Sequence, residues 1–162
     1  DTFHAVFWWN GSLVQWKVRT AGYDSPEIKP PRAAPLHLKE KRAAVAAREA
    51  LKLHVCVDLV LLDCAEFDMY GRILAVVYTS AGLEAQLTGW RSGVADAKEG
   101  SHEPHTNVND WMLARGFGLP YAGKTKSKFT EAQLDAAVAT YLAECKARGV
   151  APVALPDLRS TA

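Results

Sequence analysis

Phe3-His4-Ala5-Val6-Phe7-Trp8-Trp9-Asn10-Gly11-Ser12-Leu13-Val14-Gln15-Trp16-Lys17-Val18-Arg19 is the stretch on which the fold turns. Residues 3–9 are apolar, aromatic and β-branched, and residues 14–19 alternate apolar and polar with period two. Asn10-Gly11 between them accepts positive φ at both positions, which a two-residue turn needs if its twist is to match the flanking strands. Two antiparallel strands follow, with Val14, Trp16 and Val18 on one face and Gln15, Lys17 and Arg19 on the other.

Beyond this hairpin, Gly22-Tyr23-Asp24-Ser25-Pro26-Glu27 is a turn built from Asp, Ser and Pro, and Pro30, Pro31 and Pro35 mark a loop that is neither helix nor central strand. Residues 38–53 are rich in Ala, Lys, Arg and Glu and form a helix, with Leu38, Val45, Ala46 and Leu53 as its apolar stripe. Residues 59–67 read as a buried strand and 72–79 as its partner across Asp68-Met69-Tyr70-Gly71. Residues 80–106 lack a period and form an inserted surface excursion with a short hairpin around 83–87. A short helix over 107–115 stops at Gly116. Thr130-Glu131-Ala132-Gln133 is a capping box that opens a last helix carrying Leu134, Val138, Tyr141, Leu142 and Cys145 on one side.

The order is β-β-loop-α-β-β-excursion-α-α, which lacks the alternating βα units of a parallel sheet. It predicts a mostly β, α+β fold: a closed, five-stranded Greek-key barrel of the OB type with about three helices. The chain opens inside a strand pattern without an initiator Met, so the first strand of that barrel is expected to be truncated here. The expected domain covers 1–149, with 80–106 inserted and 150–162 as a loosely held tail.

With 162 residues, 49% hydrophobic and 23% charged, the composition is that of a globular domain with a substantial core. A formal charge of +1 excludes a general polyanion-coating protein and leaves local clusters to make any nucleic-acid contact. No apolar run reaches the roughly 18 residues that span a bilayer. Cys56, Cys64 and Cys145 make neither zinc-type pairs nor a disulfide framework and read as small buried thiols. A monomer with no membrane partner is the expectation.

Two signals are weak by context. Gly118 to Thr125 fits the phosphate-loop pattern G-x-x-x-x-G-K-[ST], but a helix precedes it and the next cap, Thr130, comes too late to open a helix at its Lys-Thr. His102 and His105 lack further ligands and read as loop residues. Lys124, Lys126 and Lys128 remain as a local positive cluster.

A third constellation carries more chemistry. It joins Asp1, Arg19, Asp24, Glu27 and Arg72. Asp24 and Glu27 lie three apart across a Pro-fixed turn, so both carboxylates can face one point. Oxygen ligands hold a hard cation, a spare carboxylate orients water, and guanidinium forks stabilise phosphorane charge. The same residues also serve elsewhere as turn formers and surface ion pairs.

Arg19 to Glu27 resembles the R-x4-D-[TS]-P-E signature of the staphylococcal nuclease (thermonuclease) family. Asp68-Met69-Tyr70-Gly71-Arg72-Ile73-Leu74-Ala75 resembles its D-x-Y-G-R-x-L-A motif, with Met69 where a lysine is frequent. Residues 107–116 resemble its V-N-x-x-[LM]-[LV]-x-x-G helix, and Asp1-Thr2 the end of its D-G-D-T turn. These occur in family order over most of residues 1–121, while the excursion 80–106 is foreign to the family.

The resemblance implies a calcium-dependent nuclease acting on DNA and RNA and leaving 3′-phosphate ends. It implies that Asp1, Asp24 and the Ser25 carbonyl hold calcium, that Glu27 positions or deprotonates water, and that Arg19 and Arg72 act on the scissile phosphate. Tyr70 corresponds to a phosphate-contacting tyrosine. Tyr121 lies near nucleotide-stacking positions, with Lys124 beside it, and stacking favours single strands. The alternative is a non-catalytic OB-type module that binds nucleic acid or protein, as degenerate members of the family do.

Overall fold

The computed structural model describes residues 1–56, 59–79, 106–123 and 126–158. Their element order is β1 (Thr2–Trp9), β2 (Ser12–Thr20), β3 (Tyr23–Asp24), α1 (His37–Val55), β4 (Leu61–Phe67), β5 (Ile73–Thr79), β6 (Thr106–Asn107), α2 (Val108–Ala114), β7 (Leu119–Pro120) and α3 (Glu131–Ala147). They divide into two compact units, one of Asp1, Ala21–Lys52 and Asn109–Ala162, the other of Thr2–Thr20 and Leu53–Val108. No helix among the described residues is long and apolar enough to cross a membrane.

The second unit is a five-stranded sheet in the order β1-β2-β5-β4, with β6 also on β5. Its hairpin forms as the sequence predicts: Thr2 pairs with Arg19 and Trp9 with Ser12, and the turn takes φ 47° at Asn10 and 78° at Gly11. The pleat puts Val14, Trp16 and Val18 on the inner face and leaves Gln15 and Lys17 exposed. Trp16 anchors an aromatic cluster, with its ring 5.5 Å from Phe7, 6.0 Å from Trp9 and 5.5 Å from Phe67. Val18, Ile73, Ala75 and Val77 are fully or almost fully buried and form the core of this unit.

The sheet is mostly antiparallel, with β2 parallel to β5 across β3, α1 and β4 of the intervening chain. Two expectations change here. The hydrogen-bonded path ends at β1 and β4 and is not closed into a barrel among the described residues, and the two-residue strands β3 and β7 pair with each other in a separate sheet. The stretch read as a buried strand, β4, is an edge strand among the described residues, with Leu61 and Phe67 exposed. An edge strand has one ladder neighbour, so a hydrophobic run there is not covered as it would be in mid-sheet. A one-residue bulge between Cys64 and Phe67 shifts its register on β5.

The first unit is helical. α1 buries Ala43, Ala46, Ala47, Ala50 and Leu51; of the expected stripe Ala46 is buried, while Leu38, Val45 and Leu53 are only half-buried. Alanine costs no side-chain entropy on burial, so a line of them makes a close-packing face that a search for large apolar residues overlooks. The α3 capping box is present in full, with Gln133 N–H on the Thr130 hydroxyl and Thr130 N–H on the Gln133 side-chain oxygen. Both α2 and α3 stop with the same pair of bonds around a left-handed glycine: Phe117 N–H to Met112 O with Gly116 N–H to Leu113 O, and Val150 N–H to Cys145 O with Gly149 N–H to Lys146 O.

Lys39 joins α1 to α3 through Glu131 at 2.8 Å and Asp135 at 2.7 Å. In the segment after α3, Pro156 O accepts from Arg42 Nη1 at 2.9 Å and Val153 N–H donates to the Tyr141 hydroxyl at 3.0 Å. Cys145 is buried as expected, while Cys56 and Cys64 are exposed. The excursion lies outside the described residues except for Thr106, which enters β6.

Within the phosphate-loop-like stretch, Leu119-Pro120 is strand β7, antiparallel to β3. Gly118 lies against the fully buried ring of Tyr23, where an added Cβ would overlap the ring carbons and crowd the Asp24 carbonyl. The glycine there serves close approach of β7 to Tyr23. Gly118→Ala is expected to destabilise the protein by about 1–3 kcal/mol, the usual cost of overpacking a core that cannot yield. The readout is a lower denaturant midpoint at unchanged slope, and a wild-type midpoint would contradict the packing described.

Candidate active site

The predicted site residues fall into two sets, each held within its own unit. The acidic set begins where β3 ends. Pairing of Tyr23 with Pro120 and Asp24 with Leu119 fixes the backbone of residues 23–24, and Pro26 sets φ in the turn that follows. Tyr121 N–H donates to Gly22 O at 2.9 Å, which brings that tyrosine to the same short ladder. Ser25 N–H donates to Asp1 Oδ2 at 3.4 Å, so the Asp1 carboxylate lies against the turn although 24 residues separate them. Asp24 is 6% exposed, whereas Glu27 reaches into solvent.

Lys126 completes this set. Its ammonium lies 3.1 Å from Asp24 Oδ2 and 2.6 Å from Glu27 Oε1. The two carboxylates therefore converge on one positive charge, as the three-residue spacing across a Pro-fixed turn allows. Desolvation works against that charge, but hydrogen bonds from the ammonium to Glu27 and then Asp24 outweigh it and hold the lysine above its ordinary pKa.

The donor set is all oxygen. Among the described residues no three His, Cys, Asp or Glu side chains gather closely enough to hold a metal ion; the donors that the sequence offers for one are the Asp1 and Asp24 carboxylates and the Ser25 carbonyl. They fit a hard cation that keeps most of its coordination for water or phosphate, and the ammonium already seated on Asp24 and Glu27 shows that these carboxylates accept a cation.

The basic set lies on the sheet and its β4–β5 turn. Arg19, in β2, pairs with Thr2 of β1 and Leu74 of β5. It is 7% exposed, where period-two alternation would have it as accessible as Lys17. At this end, from Val18 to Thr20, β2 is also paired with β5.

Arg72 is organised by Asp68. One carboxylate oxygen, Oδ1, accepts the N–H groups of Tyr70 and Arg72, both at 2.9 Å, and closes the turn. The other, Oδ2, accepts from the Arg72 side chain at Nε, 2.7 Å, and Nη2, 2.6 Å. Nη1 donates to the Thr2 hydroxyl at 3.2 Å, and the guanidinium lies 5.3 Å from the Tyr70 ring centroid. Desolvation presses the Asp68 carboxyl upward, but the Arg72 and Tyr70 hydrogen bonds prevail and keep it below the usual carboxylate range. The Tyr70 ring itself is 73% exposed, a position open to an aromatic or phosphate contact.

Of the residues picked from sequence, Asp1, Asp24, Ser25 and Glu27 are thus gathered in one unit, and Arg72 and Tyr70 in the other, with Arg19 on the sheet. Lys124, His102 and His105 lie outside the described residues. Sequence reading left Lys126 and Asp68 without roles of their own. Lys126 is 99 residues from Glu27, and a lysine among lysines has no local mark of such a contact. Asp68 had one: an Asp four residues before an Arg across a glycine turn is placed to accept both the turn's N–H groups and the guanidinium. No protein-family model, no curated protein and no solved structure matches this chain.

Proposed function

We propose that the chain is a calcium-dependent phosphodiesterase that hydrolyses DNA and RNA, prefers single strands and leaves 3′-phosphate ends, on a fold of the OB type. The observation that carries the reading is the convergence of Asp24 and Glu27 on one cation position, with Asp1 bonded to the turn between them. A buried carboxylate beside a solvent-reaching one divides the labour that phosphodiester hydrolysis needs: the first holds a charge in place, the second meets water.

In this reading Asp1, Asp24 and the Ser25 carbonyl hold calcium, which when bound supplies a hard positive charge to a phosphate oxygen. Glu27 orients a water and takes its proton as the oxygen attacks phosphorus. Arg19 and Arg72 direct N–H groups at the phosphoryl oxygens, where charge grows as the 5′-oxygen departs. Tyr70 contacts phosphate, and Tyr121 and Lys124 serve the substrate strand. Arg72 is suited to its part because Asp68 holds its planar fork in one orientation, so little reorganisation remains for the reaction.

Single-stranded DNA and RNA should be cut in millimolar calcium, with activity lost in excess chelator and regained when calcium is restored. Undiminished cleavage in chelator would refute the calcium site. Salt-sensitive binding with no cleavage under any divalent cation would assign the chain to the non-catalytic OB-type modules instead.

A further inference from the structure

We propose that Lys126 is an exchangeable internal cation: its ammonium holds Asp24 and Glu27 until a divalent cation arrives, and then gives up both. The inference rests on the calcium reading of these carboxylates and adds a residue to which that reading assigns nothing.

The geometry sets up a competition. The ammonium spans both carboxylates, 3.1 Å from Asp24 and 2.6 Å from Glu27. A calcium ion takes its oxygen ligands at about 2.3–2.6 Å, so an ion on Asp24 would meet the ammonium at close range around the same carboxylate. Two like charges so close repel strongly wherever water is partly excluded, and the Asp24 side chain is only 9% exposed. Either cation satisfies the pair; both together do not.

The lysine is also built to leave. Its side chain is 52% exposed, so the ammonium can rotate into water without crossing the core, and its four-carbon stem gives it reach. Glu27, 53% exposed, is likewise released toward solvent. That release frees the carboxylate assigned to water activation only when the divalent charge is in place.

The magnitude follows from occupancy. If the ammonium sits on the pair more than about nine-tenths of the time, the apparent affinity for the incoming ion is reduced roughly tenfold or more. Removing the ammonium lifts that penalty.

The test is calcium binding by calorimetry on the full chain, comparing wild type, Lys126→Gln and Lys126→Arg. Lys126→Gln should bind calcium at least ~10-fold more tightly, whereas Lys126→Arg, which keeps the charge, should stay close to wild type. In chelator Lys126→Gln should melt below wild type, and calcium should raise its melting temperature by the larger increment. Calcium binding by Lys126→Gln alone would also uphold the proposal. Equal or weaker binding by Lys126→Gln, with wild type still binding, overturns the exchange and leaves the calcium site standing. Absence of binding in both folded proteins overturns the exchange and the calcium site together. Should Lys126→Gln fail to fold, the wild-type lysine Nζ resonance decides: it should move to the position of a solvated ammonium as calcium saturates, and a resonance that stays put overturns the proposal.

Discussion

Arg72→Lys should lower turnover by at least about 10²–10³-fold, the cost of losing one preorganised donor in other sites that stabilise a developing oxyanion, while substrate affinity changes far less. The substitution keeps the positive charge, so a residue that merely attracts phosphate would tolerate it. What it removes is the fork. Nε and Nη2 of Arg72 both rest on Asp68 Oδ2, and Nη1 extends to the Thr2 hydroxyl. A lysine ammonium is one point charge on a mobile stem, and it cannot hold the carboxylate with one edge and keep a second edge oriented. The effect belongs in turnover because a contact that strengthens only as charge develops acts on the transition state. Steady-state kinetics at saturating calcium, with melting temperatures alongside, make the measurement. Equal turnover in wild type and Arg72→Lys would end the role given to the guanidinium. A fall in melting temperature with intact turnover would assign Arg72 to holding the β4–β5 turn.

Glu27→Gln should have an effect of similar or larger size. The amide preserves shape and leaves the backbone contact from Glu27 N–H to Glu40 intact, but it cannot accept a proton from water. Loss of a positioned general base costs roughly 10²–10⁴-fold in rate. The same change removes a negative charge near the phosphate path, so binding of single-stranded DNA should be unchanged or slightly tighter. That opposition of turnover and affinity separates the hydrolase from the non-catalytic OB-type module, in which Glu27→Gln is harmless. The substitution also removes the carboxylate 2.6 Å from the Lys126 ammonium, so calcium affinity has to be measured in parallel. Turnover near wild type at saturating calcium would exclude Glu27 as the base.

Local chemistry was legible wherever a few consecutive residues carry the whole physical requirement. Asn10-Gly11 demanded positive φ and delivered the β1–β2 hairpin in register. Thr130 and Gln133 cap α3 as a reciprocal pair. Asp24 and Glu27, three apart across a Pro-fixed turn, can face one point, and Lys126 marks that point. For each of these, the interacting groups lie within one turn of chain, so loop closure costs little and the alternatives are few.

Tertiary structure decided everything that depends on a distant neighbour. Whether a strand is central or at an edge depends on which strands flank it, so the hydrophobic run of β4 reads as buried in sequence but lies exposed at the sheet margin. Arg19 sits at an outward period-two position and is nevertheless buried, which alternation along one strand does not foretell. The α1 face is chosen by what packs on it, and alanines with no distinctive hydropathy fill it. The cation on the acidic set comes from position 126, across 99 residues of chain. Sequence by itself determined the hairpin, the caps, the turns and the residue types of the candidate site, since each is a matter of local φ, ψ and hydrogen-bonding options. Which edges stay open, which arginine is buried and which lysine answers the carboxylates were decided by long-range pairing, whose energy arises only once the chain has closed on itself.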